Sequence, residues 1–190
     1  EVVEGRSFDS NGPFLGRLLG ERGHEVRFSL SVGDDVDAIE AAIRDAAGRV
    51  DVLIVTGGLG GTADDVTRDA LARAFGRTLV ENAEGLAVVE RFWAGLNRQP
   101  DPDRIWVEAI LPEGVEVIDN PRGLAPGIDL AGEIEGSPLR VLVYPGVPSE
   151  LRTMAEASVP RRRGRAVRER SFRITSATRG GRSKTSWPHA

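Results

Sequence analysis

Chemistry concentrates where residues 50–55, Val-Asp-Val-Leu-Ile-Val, give way to Thr56-Gly57-Gly58-Leu59-Gly60-Gly61-Thr62-Ala63-Asp64-Asp65. A short, nearly continuous apolar run fits a central parallel strand covered on both faces. Glycines after it let main-chain N–H groups approach an anion and adopt positive φ, and a helix start adds orphan donors and a positive dipole end. This pattern makes a phosphate cradle or a plain tight turn. It is not a Walker A loop, because no Gly-Lys-Ser/Thr closes it, and its spacing is not G-x-G-x-x-G.

Two pairs of carboxylates accompany such starts. Asp64 and Asp65 follow the glycines, and Asp34 and Asp35 follow Gly33 after another strand-like run. Each can cap a helix, since Asp is a preferred N-cap favoured by the dipole. Each can also share a divalent cation with a phosphate, as magnesium takes one or two carboxylates plus phosphate oxygens. In an open parallel sheet the carboxyl ends of the strands lie on one edge, so both segments are expected to open onto one crevice. Carboxylates meeting a phosphate cradle are what metal-assisted phosphoanhydride chemistry requires. Tyr144-Pro145-Gly146-Val147-Pro148-Ser149-Glu150 also joins a strand to a helix, as punctuation or as a ligand wall, and residues 120–127 form a similar Gly/Pro loop. His24 and His189 lack ligand-like spacing; His24 is expected at a helix-to-strand junction.

The elements that must hold these loops follow from periodicity. Residues 11–23 read as a helix with Asn11 as N-cap, an apolar stripe of Phe14, Leu15, Leu18 and Leu19, and Gly23 as left-handed cap. Residues 26–32 alternate as a half-buried strand. Helices are predicted over 34–47, 65–75, 82–96 and 148–157, and strands over 50–55, 115–118 and 139–144, while 98–112 resists assignment. Strands alternating with helices give an α/β sandwich with a largely parallel sheet.

The chain has 190 residues, 40% hydrophobic and 28% charged, which allows a packed core. There is no cysteine, which removes disulfides and thiolate chemistry and fits a cytoplasmic setting. No apolar run is long enough to span a membrane. Residues 159–190 carry ten basic side chains and one acidic one, so the remainder carries −13 against the whole chain's −4. An acidic body is a poor platform for nucleic acid. The basic segment lacks apolar periodicity and is expected to be a mobile tail after a domain over 1–158.

Thr56-Gly57-Gly58-Leu59-Gly60 with Thr62 and Asp64-Asp65 resembles the TGGLGPT-x-DD loop of the CinA (competence/damage-inducible protein A) family. Residues 5–11, Gly33-Asp34-Asp35, residues 120–127 and residues 145–150 resemble that family's other motifs in the same order, from Glu1 to about Met154. Gly61 stands where the family usually has proline, and Leu59 stands where the wider molybdopterin-binding superfamily usually has threonine. The resemblance implies an α/β fold of molybdopterin-binding type, a three-layer α/β/α sandwich with a mostly parallel mixed sheet. It implies a phosphorylated nucleotide or pterin as ligand, with Mg²⁺ or another divalent cation. Asp34, Asp64 and Asp65 become the catalytic acids, with Asp34 and Asp65 on the metal. Thr56, Gly57, Gly58, Gly60, Gly61 and Thr62 become the phosphate loop, and Pro145, Gly146 and Pro148 the facing wall.

The expected activity is a divalent-metal-dependent hydrolysis of the pyrophosphate in ADP-ribose. The alternatives are a non-catalytic molybdopterin- or nucleotide-binding module and a molybdopterin adenylyltransferase, the latter disfavoured by Leu59. A homo-oligomer stays open.

Overall fold

Along residues 52–55, Val52 and Ile54 face one side and Leu53 and Val55 the other, and all four are buried. A strand with two dry faces needs a helical layer on each. The computed structural model describes residues 9–97 and 106–161, and residues 170–177 as backbone. In chain order the elements are α1 (Asn11–Glu21), β1 (Glu25–Gly33), α2 (Val36–Ala46), β2 (Val52–Thr56), α3 (Thr67–Phe75), β3 (Leu79–Glu81), α4 (Ala83–Gly95), a 3₁₀ turn (Val107–Ala109), β4 (Ile110–Pro112), β5 (Glu116–Ile118), β6 (Gly127–Ile134), β7 (Ser137–Tyr144), α5 (Pro148–Ser158) and β8 (Arg170–Ala177).

Six strands form one sheet in the order β1-β8-β2-β7-β6-β5. The pairings from β1 through β7 are parallel and the last two antiparallel, so the sheet is mixed and mostly parallel. On one face Ile39 and Ile43 of α2 and Leu71 of α3 pack with Leu53, Val55, Val141 and Val143. On the other, Leu15 and Leu19 of α1 and Leu151 and Met154 of α5 pack with Val52, Ile54, Leu142 and Tyr144. Odd and even positions of β2 and β7 thus feed two separate cores, the arrangement of a three-layer α/β/α sandwich. Full burial of each large aliphatic side chain contributes about 1.5–3 kcal/mol.

Helix ends are set by local chemistry. Asp35 caps α2, its Oδ1 accepting from Ala38 N at 2.9 Å, and Asn82 caps α4 through Gly85 N at 2.9 Å. Gly76 ends α3 in the left-handed conformation, φ 62°. At α1 the expected cap moves: Asn11 is already helical, and Asp9 Oδ1 accepts from the N–H groups of Asn11 and Gly12 at 3.1 and 2.9 Å. A carboxylate two residues upstream displaces the amide because it accepts more strongly at a dipole's positive end.

Several elements differ from the sequence reading. β1 lies at the sheet edge with a register irregularity between Val26 and Phe28, leaving Val26 and Leu30 exposed while Phe28 and Val32 reach the core. β3 and β4 form a small antiparallel ribbon beside α4, and β6 makes a hairpin with β7. α3 begins at Thr67, two residues after Asp65. In the segment expected to be a mobile tail, residues 170–177 form β8, paired in parallel with both β1 and β2. Two flanking strands offer it rows of unpaired N–H and C=O groups, and ladder bonding on both sides offsets a weak apolar pattern. Residues 162–169 and 178–190 lie outside the described residues. Among the described residues, no helix is long and apolar enough to cross a membrane.

Candidate anion-binding site

The loop after β2 is built by tying its carbonyl groups to the start of α3. Gly57 N–H extends the β2–β7 ladder by donating to Tyr144 O at 2.8 Å. The chain then turns through Gly57 and Gly58 at φ 94° and 70°, conformations that a side chain would strain. Gly57 O accepts from Thr67 Oγ1 at 2.9 Å and Gly58 O from Thr67 N at 3.2 Å. Leu59 O and Gly60 O accept from Nη1 and Nη2 of Arg68 at 2.5 and 2.7 Å. Four successive carbonyls are therefore held by two residues.

A trans peptide unit is planar, with its N–H opposite its C=O, and no peptide bond among the described residues is cis. The N–H groups of Gly58, Leu59, Gly60 and Gly61 accordingly point away from the start of α3. None of the four donates to a protein acceptor among the described residues. Consecutive free amides behind glycines are the kind of donor set that takes an anion. Leu59 anchors the loop, its side chain buried in the core beneath.

Asp65 closes the loop's far end: its Oδ2 accepts from Thr62 N at 3.0 Å and Thr62 Oγ1 at 2.6 Å, and its own N–H donates to Thr62 O at 3.0 Å. Neither Asp64 nor Asp65 caps α3, whose cap position is Val66. Both are half-buried. Thr62, expected as a ligand contact, spends both its donors on Asp65, and Thr56 is buried at the end of its strand. Gly60 and Gly61 sit in close contact with carboxylates: a β-carbon there would lie 2.6 Å from Asp65 Oδ2, which Thr62 holds in place, and from Glu108 Oε1, the movable end of a long side chain, respectively.

The loop after β7 abuts the first. A β-carbon on Gly146 would lie 3.4 Å from Gly57 Cα, and Gly146 O accepts from Asn11 Nδ2 at 2.9 Å. Pro145 is buried, whereas Gly146 and Pro148 are exposed on the same edge. Residues 120–127 are locked by Asn120, which donates through Nδ2 to Ala125 O and Glu150 Oε2, both at 2.8 Å. Its Oδ1 accepts from Arg122 N and Gly123 N, closing the loop on itself, while the bond to Glu150 fastens it to the first turn of α5.

Asp34 leaves β1 on the same edge, half-buried, but β8 stands between β1 and β2. Two strand spacings, roughly 10 Å, separate the ends of those strands. Among the described residues, no three His, Cys, Asp or Glu side chains gather into a group that could hold a metal ion. A cation bound mainly by phosphate oxygens needs fewer protein ligands, and Asp65 keeps Oδ1 outside its bonds to Thr62. His24 is buried where α1 meets β1, with Nε2 3.0 Å from Pro160 O, a structural placement; His189 lies outside the described residues.

Two residues of the site were not singled out by sequence. Arg68 is 3% exposed. Burial lowers its pKa while Asp65, Glu108 and Asp69 oppose the shift, and a guanidinium stays protonated throughout. Glu108 is buried on the 3₁₀ turn beside Gly61. The available signal was a Thr-Arg pair opening the helix behind a glycine loop; Glu108 sat in the stretch that resisted assignment.

Residues 1–163 match a family model described as "Probable molybdopterin binding domain". A solved structure of the protein CinA, of unknown function, from Thermoplasma acidophilum superposes with a TM-score of 0.71 at 32% identity, covering 83% of this chain and 89% of that one. The chain belongs to the CinA family, as its molybdopterin-binding-like domain. A CinA-like protein of Syntrophotalea carbinolica is 43% identical over 159 residues, 84% of this chain, and the chain spans 37% of that relative's length. The molybdopterin biosynthesis enzyme MoaB of Thermus thermophilus shares the fold, with a TM-score of 0.53 at 24% identity over 83% of this chain and 82% of that one. In this CinA-family domain the loop Thr56 to Asp65 follows β2 of an α/β sheet of molybdopterin-binding type.

Proposed function

We propose that this domain binds the phosphates of a nucleotide or pterin on the N–H groups of Gly58, Leu59, Gly60 and Gly61, and that it hydrolyses the pyrophosphate of an ADP-ribose-like nucleotide with a divalent cation. The observation that carries the binding reading is the set of four amides left free because their carbonyls are tied to Thr67 and Arg68. Pro145, Gly146 and Pro148 would flank the ligand on the side of β7.

Asp65, through Oδ1, would hold the cation together with phosphate oxygens, and Asp34, two strand spacings away at the end of β1, would contact it through coordinated water. When bound, Mg²⁺ neutralises phosphate charge and acidifies a bound water. Asp64, beside the loop, would take the proton of an attacking water. Water adds to one phosphorus, the bridging P–O bond breaks, and AMP and ribose 5-phosphate leave.

The test is AMP release from ADP-ribose with Mg²⁺, Mn²⁺ or Co²⁺. Turnover should vanish on adding EDTA and fall at least a hundredfold in Asp65→Ala, with pyrophosphate binding kept within a few-fold. Absence of release with every cation would leave binding without chemistry. That second reading is a carrier module, which needs only the four amides. Calorimetry separates the two, because a carrier binds without metal and gives no product.

A further inference from the structure

We infer that Arg68 is the positioning residue of the glycine loop: its guanidinium fork holds two successive carbonyls inward and so sets the amides of Gly60 and Gly61 to face the anion. This rests on the phosphate-binding reading of the same loop. Thr67 fixes the peptide units of Gly57 and Gly58 through its N–H and hydroxyl. Beyond Leu59 the loop has neither ladder nor helix. Among the described residues, the hydrogen bonds to the carbonyls of Leu59 and Gly60 both come from Arg68. Two adjacent glycines would otherwise sample many backbone states, and ordering them costs more than for any other residue type. Arg68 moves that cost from ligand binding to folding, which is preorganisation.

The side chain suits this and little else. At 3% exposure it is too buried to meet a ligand directly, and arginine is almost never buried unless paired. Its charge is balanced by Asp65 and Asp69 from its own segment and Glu108 from the 3₁₀ turn. Glu108 reaches in where Gly61 has no β-carbon. Lysine could supply the charge but not the planar fork that spans two acceptors.

The experiment uses the 190-residue chain as Arg68→Lys and Arg68→Met, with inorganic pyrophosphate as probe in calorimetry and hydrogen exchange at the Gly60 and Gly61 amides. In a folded Arg68→Lys, pyrophosphate should bind at least tenfold more weakly, and at saturating pyrophosphate the two amides should exchange at least tenfold faster than in the saturated parent while core amides keep the parent's rates. Arg68→Met, if folded, should lose more, and millimolar guanidinium should restore part of the loss. If Arg68→Met fails to fold, Arg68→Lys decides. A folded Arg68→Lys that binds like the parent overturns the role of Arg68 while leaving the phosphate loop intact. So does weaker binding without faster exchange. A parent chain that does not bind pyrophosphate overturns both.

Discussion

Gly61 separates two functions of a missing side chain. A β-carbon there would lie 2.6 Å from Glu108 Oε1, the mobile end of a long side chain, so an alanine can be accommodated by a small shift of the carboxylate. Proline would make the same contact and would also delete the Gly61 N–H, one of the four free donors. A hydrogen bond to a charged group contributes about 1.5–3 kcal/mol, and 1.4 kcal/mol is tenfold in affinity. Gly61→Pro should therefore bind pyrophosphate about tenfold more weakly than Gly61→Ala, with both melting close to the parent. Equal affinities in calorimetry would remove Gly61 N–H from the anion site. Asp65 works through similar proximity, trading a capping role for a turn that takes both donors of Thr62. Residue type announced an acid beside a glycine loop, but which oxygen stays available depends on a three-residue turn that composition does not encode.

Among the elements, the β6–β7 hairpin shows why local signals fail. Its turn residues, Glu135 and Gly136, both have positive φ, 52° and 77°, as a two-residue primed turn requires. Asn-Gly or Asp-Gly would advertise such a turn, whereas Glu-Gly does not, and so β6 went unpredicted. The left-handed conformation costs a side-chain-bearing residue about 1–2 kcal/mol, and asparagine less. Among the described residues, the Glu135 side chain has only an exposed contact with Arg44 at 3.7 Å, a kind of pair that contributes little. Glu135→Asn should raise stability by about 0.5–1 kcal/mol, the part of that cost which asparagine avoids. Chemical denaturation would read it, and an unchanged or lower midpoint would show that the ion pair outweighs the backbone relief. Helices were legible for the opposite reason. The periodic stripes of α1, α2 and α4 coincide with buried positions such as Leu15, Ile39 and Val89, and local caps bound them. Arg68 was not legible, because a buried arginine becomes meaningful only once its two carbonyl partners are in place.

At the scale of the whole molecule, the alternation of strands and helices dictates three layers, and the crevice follows from parallel strands ending on one edge. The insertion of β8 between β1 and β2 was hidden, because its place is set by backbone pairing with strands far away in sequence. One side chain reports on the integrity of this sandwich. Tyr144, the chain's single tyrosine, ends β7 with no exposed surface and lies 2.8 Å from Ser158 Oγ. Ser158 Oγ itself donates to Met154 O at 2.7 Å, so the phenol must be the donor of the pair. Burial pushes the phenol's pKa well above its usual value. Unfolded, it ionises near pH 10. Below about pH 10 both states hold the proton and this contribution to stability is intact. Above it the unfolded chain releases the proton first, and stability falls by about 1.4 kcal/mol per pH unit toward the raised folded pKa. Phenolate absorbance should therefore appear together with unfolding in an alkaline titration. Tyr144→Phe should be about 1 kcal/mol less stable at neutral pH through the lost hydrogen bond, yet show a shallower alkaline limb. A phenolate signal near pH 10 in a chain that remains folded would mean that water reaches β7, and that the layer formed by α1 and α5 is not closed over the sheet.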